Sequence, residues 1–295
     1  MRVGFVGIGK MGLPISRLLL AAGHELHVFD TDQGQVEAVC ADGAQAMASV
    51  PECARGVQVL FTSLPHDQAL RAVALGPQGV LAHLPAEGIL VDTSTVSVAV
   101  SAELARAAAE HARAYLRMPL SGNAHSARSG QLTALVSGPA AAWQIVEPLA
   151  RSFTVAQVLV GEDDQARVMK LAINLLVAGN AMLLAEALAL GRAGGIAWGT
   201  LLDGLAASTL SSPWLRAKAA ALKARDFSPT FTPAQLEKDL SLMLEAGDQH
   251  DVPLPLTALA RQMMKAVRAA GWAEEDFIAV VKLLEQQSGL PVDAV

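Results

Sequence analysis

Residues 7–12 read Gly7-Ile8-Gly9-Lys10-Met11-Gly12, and this glycine-rich turn decides the fold of the first half of the chain. The apolar run Arg2–Val6 before it has the composition of a buried strand, and Leu13–Ala22 after it has that of a helix. A second apolar run, Leu26–Phe29, ends at Asp30. This order of strand, glycine turn, helix, strand and acid predicts a Rossmann-type dinucleotide-binding unit.

The glycine turn is expected to hold a dinucleotide through its backbone. Gly7 permits a tight turn, Gly9 lets the main chain approach a pyrophosphate, and Gly12 allows the helix to pack closely on the strand. The backbone amides of residues 7–12, including those of Ile8, Lys10 and Met11, then lie at a helix N-terminus, which attracts anions. A P-loop reading of Gly4–Gly9 followed by Lys10 fails, because the next residue, a methionine, offers no hydroxyl for Mg²⁺.

Asp30 favours NAD over NADP as the cofactor. It lies 18 residues after Gly12, close to the spacing of about 20 expected for an acid that accepts hydrogen bonds from ribose hydroxyls. A carboxylate at this place would repel a 2′-phosphate. No Arg or Lys occurs from Thr31 to Gln35 to offset that repulsion.

The composition excludes several classes of protein. The 295 residues are 52 % hydrophobic with a formal net charge of −6, which suffices for one large domain or two smaller ones. No basic block is present, so nucleic acid is not the expected partner. Cys40 and Cys53 form no CxxC pair, and His24 and His27 have no further ligand nearby in sequence, so structural thiols and no metal are expected. The N-terminus has no secretory signal, and we expect a cytoplasmic protein.

Strands and helices alternate only in the first half of the chain. Further strands are predicted at Val57–Thr62, Gly88–Val91, Ala114–Leu116, Leu132–Ser137 and Thr154–Val160, which completes the predicted β-content. Beyond Gly161 helical periodicity takes over. The prediction is an α/β Rossmann-type N-terminal domain, residues 1–161, followed by an all-α C-terminal domain, residues 162–295.

Polar turns follow three of the predicted strands. They are Ser63–His66, which includes Leu64 and Pro65, then Asp92–Thr95, and then Ser121–Asn123. Ligands of parallel sheets bind beyond the carboxyl ends of the strands, so these turns are expected to wall one crevice. Each turn taken alone is at least as well explained as an ordinary polar loop.

Lys170 and Asn174 share one face of a long apolar helix, because they are spaced i, i+4. A lysine beside a substrate hydroxyl could accept its proton as hydride leaves, if burial and cations such as Arg167, one turn earlier, lower its pKa. A solvated lysine at the start of an interface helix is equally compatible with this spacing. The apolar stretch Met169–Leu190 contains two Asn and one Glu, which indicates a buried or subunit-contacting helix and not a membrane span.

With these motifs in order, the chain resembles the β-hydroxyacid dehydrogenase family, akin to 6-phosphogluconate dehydrogenase, over roughly residues 2–288. The glycine turn matches Gly-x-Gly-x-Met-Gly, and Asp92–Thr95 matches Asp-x-Ser-Thr. Pro119–Asn123 is similar to Pro-Val-Ser-Gly-Gly, Lys170–Asn174 to Lys-x-x-Asn, and Lys238-Asp239 to a late Lys-Asp pair.

The resemblance implies an NAD-dependent dehydrogenase of small β-hydroxyacids or their semialdehydes, with Lys170 as general acid and base. It assigns cofactor contacts to Thr95 and to Lys238, whose counterpart approaches the nicotinamide. Substrate contacts fall on Asn174 and on the loop that follows Pro119, namely Ser121, Gly122 and Asn123. Separately, Met169–Leu190 is too apolar to face water, so we expect a homodimer or homotetramer built on the helical half.

The chain departs from the family at the rim of the expected site. Arg117 stands where relatives often carry Asp, Asn123 where they carry Gly, and Glu162–Ala166 replaces a Gly-x-Gly before the lysine. Arg117 could bind a second substrate carboxylate, or it could pair with an acid of the protein, which we expect somewhat more. Imine reduction and a non-catalytic role, as in chromatin-associated relatives, are the alternative functions; Lys170 disfavours the first, and the lack of an appended domain disfavours the second.

Overall fold

A computed structural model describes residues 1–292 of the 295. In chain order the strands are β1 Arg2–Val6, β2 Glu25–Phe29, β3 Gln45–Ala46, β4 Val59–Thr62, β5 Ile89–Asp92, β6 Ala114–Arg117, β7 Leu120–Ser121, β8 Leu132–Ser137 and β9 Thr154–Gly161. The helices are α1 Gly12–Ala21, α2 Gln33–Cys40, α3 Val50–Ala54, α4 Asp67–Ala74, α5 Val80–His83, α6 Val98–Glu110, α7 Ala124–Arg128, α8 Ala140–Ala150, α9 Gln165–Ala193, α10 Trp198–Ala207, α11 Pro213–Lys223, α12 Pro233–Gln249, α13 Pro255–Ala269 and α14 Val280–Gln287, with a 3₁₀ turn at Phe277–Ala279.

All strands belong to one sheet in the N-terminal half. The order β3-β2-β1-β4-β5-β6 is parallel throughout, and it is the strand order of a Rossmann fold. β8 then pairs antiparallel with β6 and β7, and parallel with β9. The Rossmann prediction is confirmed.

Alternating residues of the parallel strands bury opposite faces of the sheet. On one face Phe5 of β1 stacks on Phe61 of β4 at 5.8 Å between ring centroids, and Phe153 meets Phe61 edge-on at 6.0 Å. On the other face Val6 and Leu60 pack with a second set of fully buried side chains. Covered on both faces, these strands are continuous apolar runs, which is why they were predictable from composition.

The C-terminal half is helical, as predicted, and the described residues after Gly161 contain no strand. The chain divides into two compact units, Met1–Leu171 and Ala172–Val295. In the second unit, α12 begins with a capping box in which Thr232 and Gln235 cap each other, followed by Pro233 in the first turn. The first turns of α9 therefore belong to the sheet-bearing unit, a division ten residues later than the sequence-based boundary at residue 161.

The prediction that seven strands account for the whole sheet was wrong, because the described residues form nine. β3 and β7 are two residues each, and neither has an apolar run long enough to signal a strand. β7 lies inside the expected substrate loop, where Leu120 and Ser121 pair with Ala134 and Thr133 of β8. That pairing gives Ser121 a fixed backbone.

Candidate active site

The glycine turn has the geometry that a bound dinucleotide requires. Gly7 has φ +96°, a conformation that side chains disfavour, and its amide donates to Phe29 O at 3.0 Å. A Cβ on Gly12 would lie 1.9 Å from the carbonyl oxygen of Gly7, so helix and turn are in contact there. A Cβ on Gly9 would meet no atom within 4 Å, so Gly9 borders open space.

Asp30 is held beside the turn. Its Oδ2 accepts from the amide of Ile8 at 2.5 Å, and its Oδ1 accepts from the amide of Asp32 at 2.8 Å. A cavity of about 760 Å³ opens here, and its lining includes Gly9, Lys10, Asp30 and Arg128. The cradle at Gly9 and the fixed carboxylate fit the pyrophosphate and the adjacent ribose of a dinucleotide.

The expected crevice turns lie at one edge of the sheet. The strand register aligns Val6 with Thr62, Thr62 with Asp92, and Asp92 with Arg117, so the turns after β1, β4, β5 and β6 are neighbours. The turn after β4 is bound to the turn after β5, because the amide of Leu64 donates to Ser94 Oγ at 2.8 Å. Thr95 is half-buried and Pro65 is exposed in these turns.

Asp92 organises this edge, a role that the sequence reasoning missed. Its Oδ1 accepts from Thr62 Oγ1 at 2.7 Å and from Ser94 Oγ at 2.6 Å. Its Oδ2 pairs with Arg167 Nη2 at 2.5 Å, and both side chains are buried. Burial tends to lower the pKa of Arg167, but Tyr115 and Asp92 raise it above its ordinary value, so the guanidinium stays charged. Burial raises the pKa of Tyr115, so its phenol is protonated at neutral pH and the anion facing Arg167 is Asp92.

Local bonds fix the loop that the family resemblance assigns to the substrate. Gly122 has φ +136°, and a Cβ there would lie 2.6 Å from Leu132 Cδ2. Asn123 caps α7, since its Oδ1 accepts from the amides of His125 and Ser126 at 3.0 and 3.1 Å. Ser121 is half-buried beside this turn. Asn123 therefore replaces a glycine of the family pattern with a helix cap.

Arg117 is buried and contacts other residues of the protein. Its Nε donates to Asp164 Oδ1 at 2.9 Å, its guanidinium lies 4.8 Å from the ring centre of Tyr115, and the residue is 5 % exposed. Of the two interpretations of Arg117, the structure supports pairing with an acid of the protein.

Lys170 lies near the start of α9 and is 8 % exposed. In the C-terminal unit, Asn174 Nδ2 donates to Asp239 Oδ2 at 2.8 Å, and Lys238 Nζ lies 3.0 Å from Asp239 Oδ1. Asp239 is buried, and its two carboxylate oxygens contact Asn174 and Lys238, both of which the family resemblance had singled out. The late Lys-Asp motif gave the signal for this cluster, but the bond to Asn174 was not predictable from spacing.

No group of three His, Cys, Asp or Glu side chains within residues 1–292 is placed to hold a metal ion. The Cys53 thiol is buried, and burial raises its pKa to about 12. Helix α9 is long and apolar enough to cross a membrane by length and composition, but a single helix of this kind is weak evidence, because core helices pass the same test.

Comparison with known proteins identifies the family of this chain. Residues 2–161 match the model of the NAD binding domain of 6-phosphogluconate dehydrogenase, and residues 165–284 match the model described as NAD-binding of NADP-dependent 3-hydroxyisobutyrate dehydrogenase. A 2-(hydroxymethyl)glutarate dehydrogenase of Eubacterium barkeri is 36 % identical over 99 % of this chain and 97 % of its own. The chain belongs to the β-hydroxyacid dehydrogenase family.

Two further relatives support the same family. A 3-hydroxyisobutyrate dehydrogenase of Pseudomonas aeruginosa is 30 % identical, over 95 % of this chain and 97 % of its own. The structure of Mycobacterium tuberculosis 3-hydroxyisobutyrate dehydrogenase with L-serine superposes with a TM-score of 0.87 at 26 % identity, covering 96 % of this chain and 98 % of that one. This β-hydroxyacid dehydrogenase is therefore an oxidoreductase with a nicotinamide cofactor.

Proposed function

We propose that the protein oxidises the primary alcohol of a 2-substituted 3-hydroxypropanoate, or reduces the matching semialdehyde, with Lys170 as general acid and base. The names of its relatives support this class. 2-(Hydroxymethyl)glutarate, 3-hydroxyisobutyrate and L-serine all contain the unit HOCH₂–CH(R)–COO⁻, and they differ only in R.

One observation carries the proposal. The buried Lys170 lies on a turn of α9 that is bonded to the carboxyl edge of the parallel sheet, because Arg167, three residues earlier, pairs with Asp92 at the end of β5. Ligands of such sheets bind at that edge. The alternative, a solvated lysine at the start of an interface helix, would be exposed, whereas Lys170 is 8 % exposed.

The chain's residues divide the work as follows. Amides of the glycine turn bind the pyrophosphate, and Asp30 accepts hydrogen bonds from the ribose. Nicotinamide, when bound, supplies the acceptor or donor of the hydride. As the C–H bond breaks, the neutral amine of Lys170 takes the hydroxyl proton; in reduction its ammonium returns a proton to the oxygen. Ser121 binds the substrate carboxylate, and Asn174, whose side-chain amide donates to Asp239, also orients the substrate.

The test is a panel of 2-substituted 3-hydroxypropanoates followed by NADH absorbance, with wild type beside Lys170→Ala. We expect kcat to fall by a factor of about 10² to 10⁴ with little change in NAD affinity, since acid–base groups contribute in that range. A variant that keeps more than about a tenth of wild-type kcat contradicts the role of Lys170. Ser121→Ala should raise KM for substrate by about tenfold, the value of one charge-assisted hydrogen bond, and an unchanged KM removes the loop from the site.

NAD is proposed as the preferred cofactor. The carboxylate of Asp30 borders the cavity beside Gly9 and would repel the 2′-phosphate of NADP. Because Lys10, Arg17 and Arg128 also line this cavity, the preference for NAD rests on Asp30 alone. The kcat/KM ratio for NAD over NADP measures this preference directly, and a wild type that prefers NADP refutes it.

A homodimer or homotetramer in the cytoplasm is also proposed. Met169, Leu176, Leu183 and Leu190 recur every seventh residue of α9 and are 39, 63, 66 and 76 % exposed. A seven-residue apolar repeat suits pairing with a second copy of the same helix, and exposed apolar patches usually mark interfaces. Light scattering at micromolar concentration tests the assembly; a monomer would leave this stripe without a partner.

A further inference from the structure

Two buried arginines converge on one hydroxyl beneath the start of α9. Arg167 is 1 % exposed and donates through Nη1 to the carbonyl oxygen of Ser94 at 2.7 Å and through Nη2 to Tyr115 Oη at 2.9 Å, besides its ion pair with Asp92. Its Nε lies 3.3 Å from Ser101 Oγ. All three guanidinium nitrogens are thus bonded inside the protein.

Arg117 reaches the same hydroxyl from β6. Its Nε lies 3.4 Å from Ser101 Oγ and pairs with Asp164, whose carbonyl oxygen accepts from the amides of Arg167 and Val168. Asp164, directly before the first residue of α9, therefore supplies the carbonyl oxygen that accepts the first hydrogen bonds of the helix. One arginine holds the residue that precedes the helix, and the other holds its first turn.

This arrangement specifies geometry more than it adds stability. Desolvation of a buried ion pair offsets much of its Coulomb attraction, and apolar side chains of similar volume often give equal or greater stability. The fork of a guanidinium, by contrast, fixes direction, because its donors are planar and rigid. In this chain these bonds occur where the family pattern has a Gly-x-Gly.

We propose that Arg167 is a positioning residue for Lys170. The proposal rests on the function proposed above. Residues three apart lie on one helix face, so the bonds from Arg167 to Asp92 and Ser94 set the rotation of the turn that carries the lysine. A rotation by one residue is about 100° and would direct the lysine away from the substrate. Arg167 itself is enclosed and acts only through this placement.

The experiment compares Arg167→Met, Arg167→Lys and Lys170→Ala with wild type, using the most active hydroxyacid of the panel. Arg225→Met is the matched control, because Arg225 forms a two-bond ion pair with the buried Glu285, both at 2.9 Å, in the other unit. A double variant, Arg167→Met with Asp92→Asn, removes the buried charge as well if the single variant folds poorly. Melting curves confirm that each variant is folded at the assay temperature.

We expect Arg167→Met to lower kcat by a factor of about 10 to 10², the usual effect of an ångström-scale misplacement. KM for NAD should change less than about twofold, since the glycine turn holds the cofactor. Arg167→Lys should recover part of kcat, and Arg225→Met should keep all of it despite a lower Tm. In the protein without cofactor, hydrogen exchange of amides 165–171 should accelerate in Arg167→Met and stay unchanged in Arg225→Met.

Full kcat in Arg167→Met beside an inactive Lys170→Ala overturns the inference and leaves the proposed function intact. An active Lys170→Ala overturns the proposed function and the inference with it. Equal losses of kcat in Arg167→Met and Arg225→Met also overturn the inference, because they would reflect general destabilisation.

Discussion

Two glycines of the same turn should respond oppositely to one added methyl group. A Cβ on Gly9 meets no atom within 4 Å, so Gly9→Ala should fold normally. By lowering the entropy of the unfolded chain it should even stabilise by about 0.5 kcal/mol. A Cβ on Gly12 would lie 1.9 Å from the Gly7 carbonyl oxygen, so backbone must move. Overpacking against backbone should cost about 3 kcal/mol.

The two variants separate fold from ligand binding. For a unit of this size Gly12→Ala should lower Tm by about 6 °C or more, measured by differential scanning fluorimetry. Gly9→Ala should hold its Tm and lose NADH affinity by about tenfold or more, or 1.4 kcal/mol, because the methyl group occupies the space that the pyrophosphate needs. Fluorescence titration with NADH gives that affinity. An unchanged Kd for NADH in Gly9→Ala would refute the proposal that the pyrophosphate lies against Gly9.

Further predictions address the cofactor, the rim and the thiols. Asp30→Asn with Thr31→Arg should shift the kcat/KM ratio toward NADP, and no shift would deny Asp30 its role at the ribose. Arg117→Ala should destabilise by about 2 kcal/mol, because it removes a charge-assisted hydrogen bond but leaves Asp164 half-buried and able to take up water. Activity losses should be equal on monoanionic and dianionic substrates; a loss confined to the dianion would restore the substrate role of Arg117. In native protein a disulfide reagent should modify Cys40 but not Cys53, whose pKa of about 12 keeps it a thiol.

The sequence was sufficient where a local pattern and a buried environment agree. β1 and β8 begin and end where composition predicts, because continuous apolar runs in a two-faced sheet leave little choice. Asp30 was recognisable because its spacing from the glycines is set by one strand and one helix.

Long-range pairs were not predictable. The bond between Arg117 and Asp164 joins residues 47 apart, and no local pattern reports it. The cap formed by Asn123 was also missed, since α7 has only five residues and gives no periodic signal. For Arg117 the sequence left two outcomes open, and burial decided between them.

The ion pair between Asp92 and Arg167 bears on how this chain can be divided. A fragment that ends at residue 161 would contain all the strands of the described residues. It would, however, leave the Asp92 carboxylate buried without its counter-ion, Arg167. Such a carboxylate must take up a proton or draw in water, and either response loosens the edge of the sheet. A free-standing nucleotide-binding fragment therefore has to extend through Leu171, where the compact unit itself ends. Lys170, the proposed proton donor, lies in the same compact unit as the glycine turn, so an exchange of the residues after Leu171 among relatives would leave it in place.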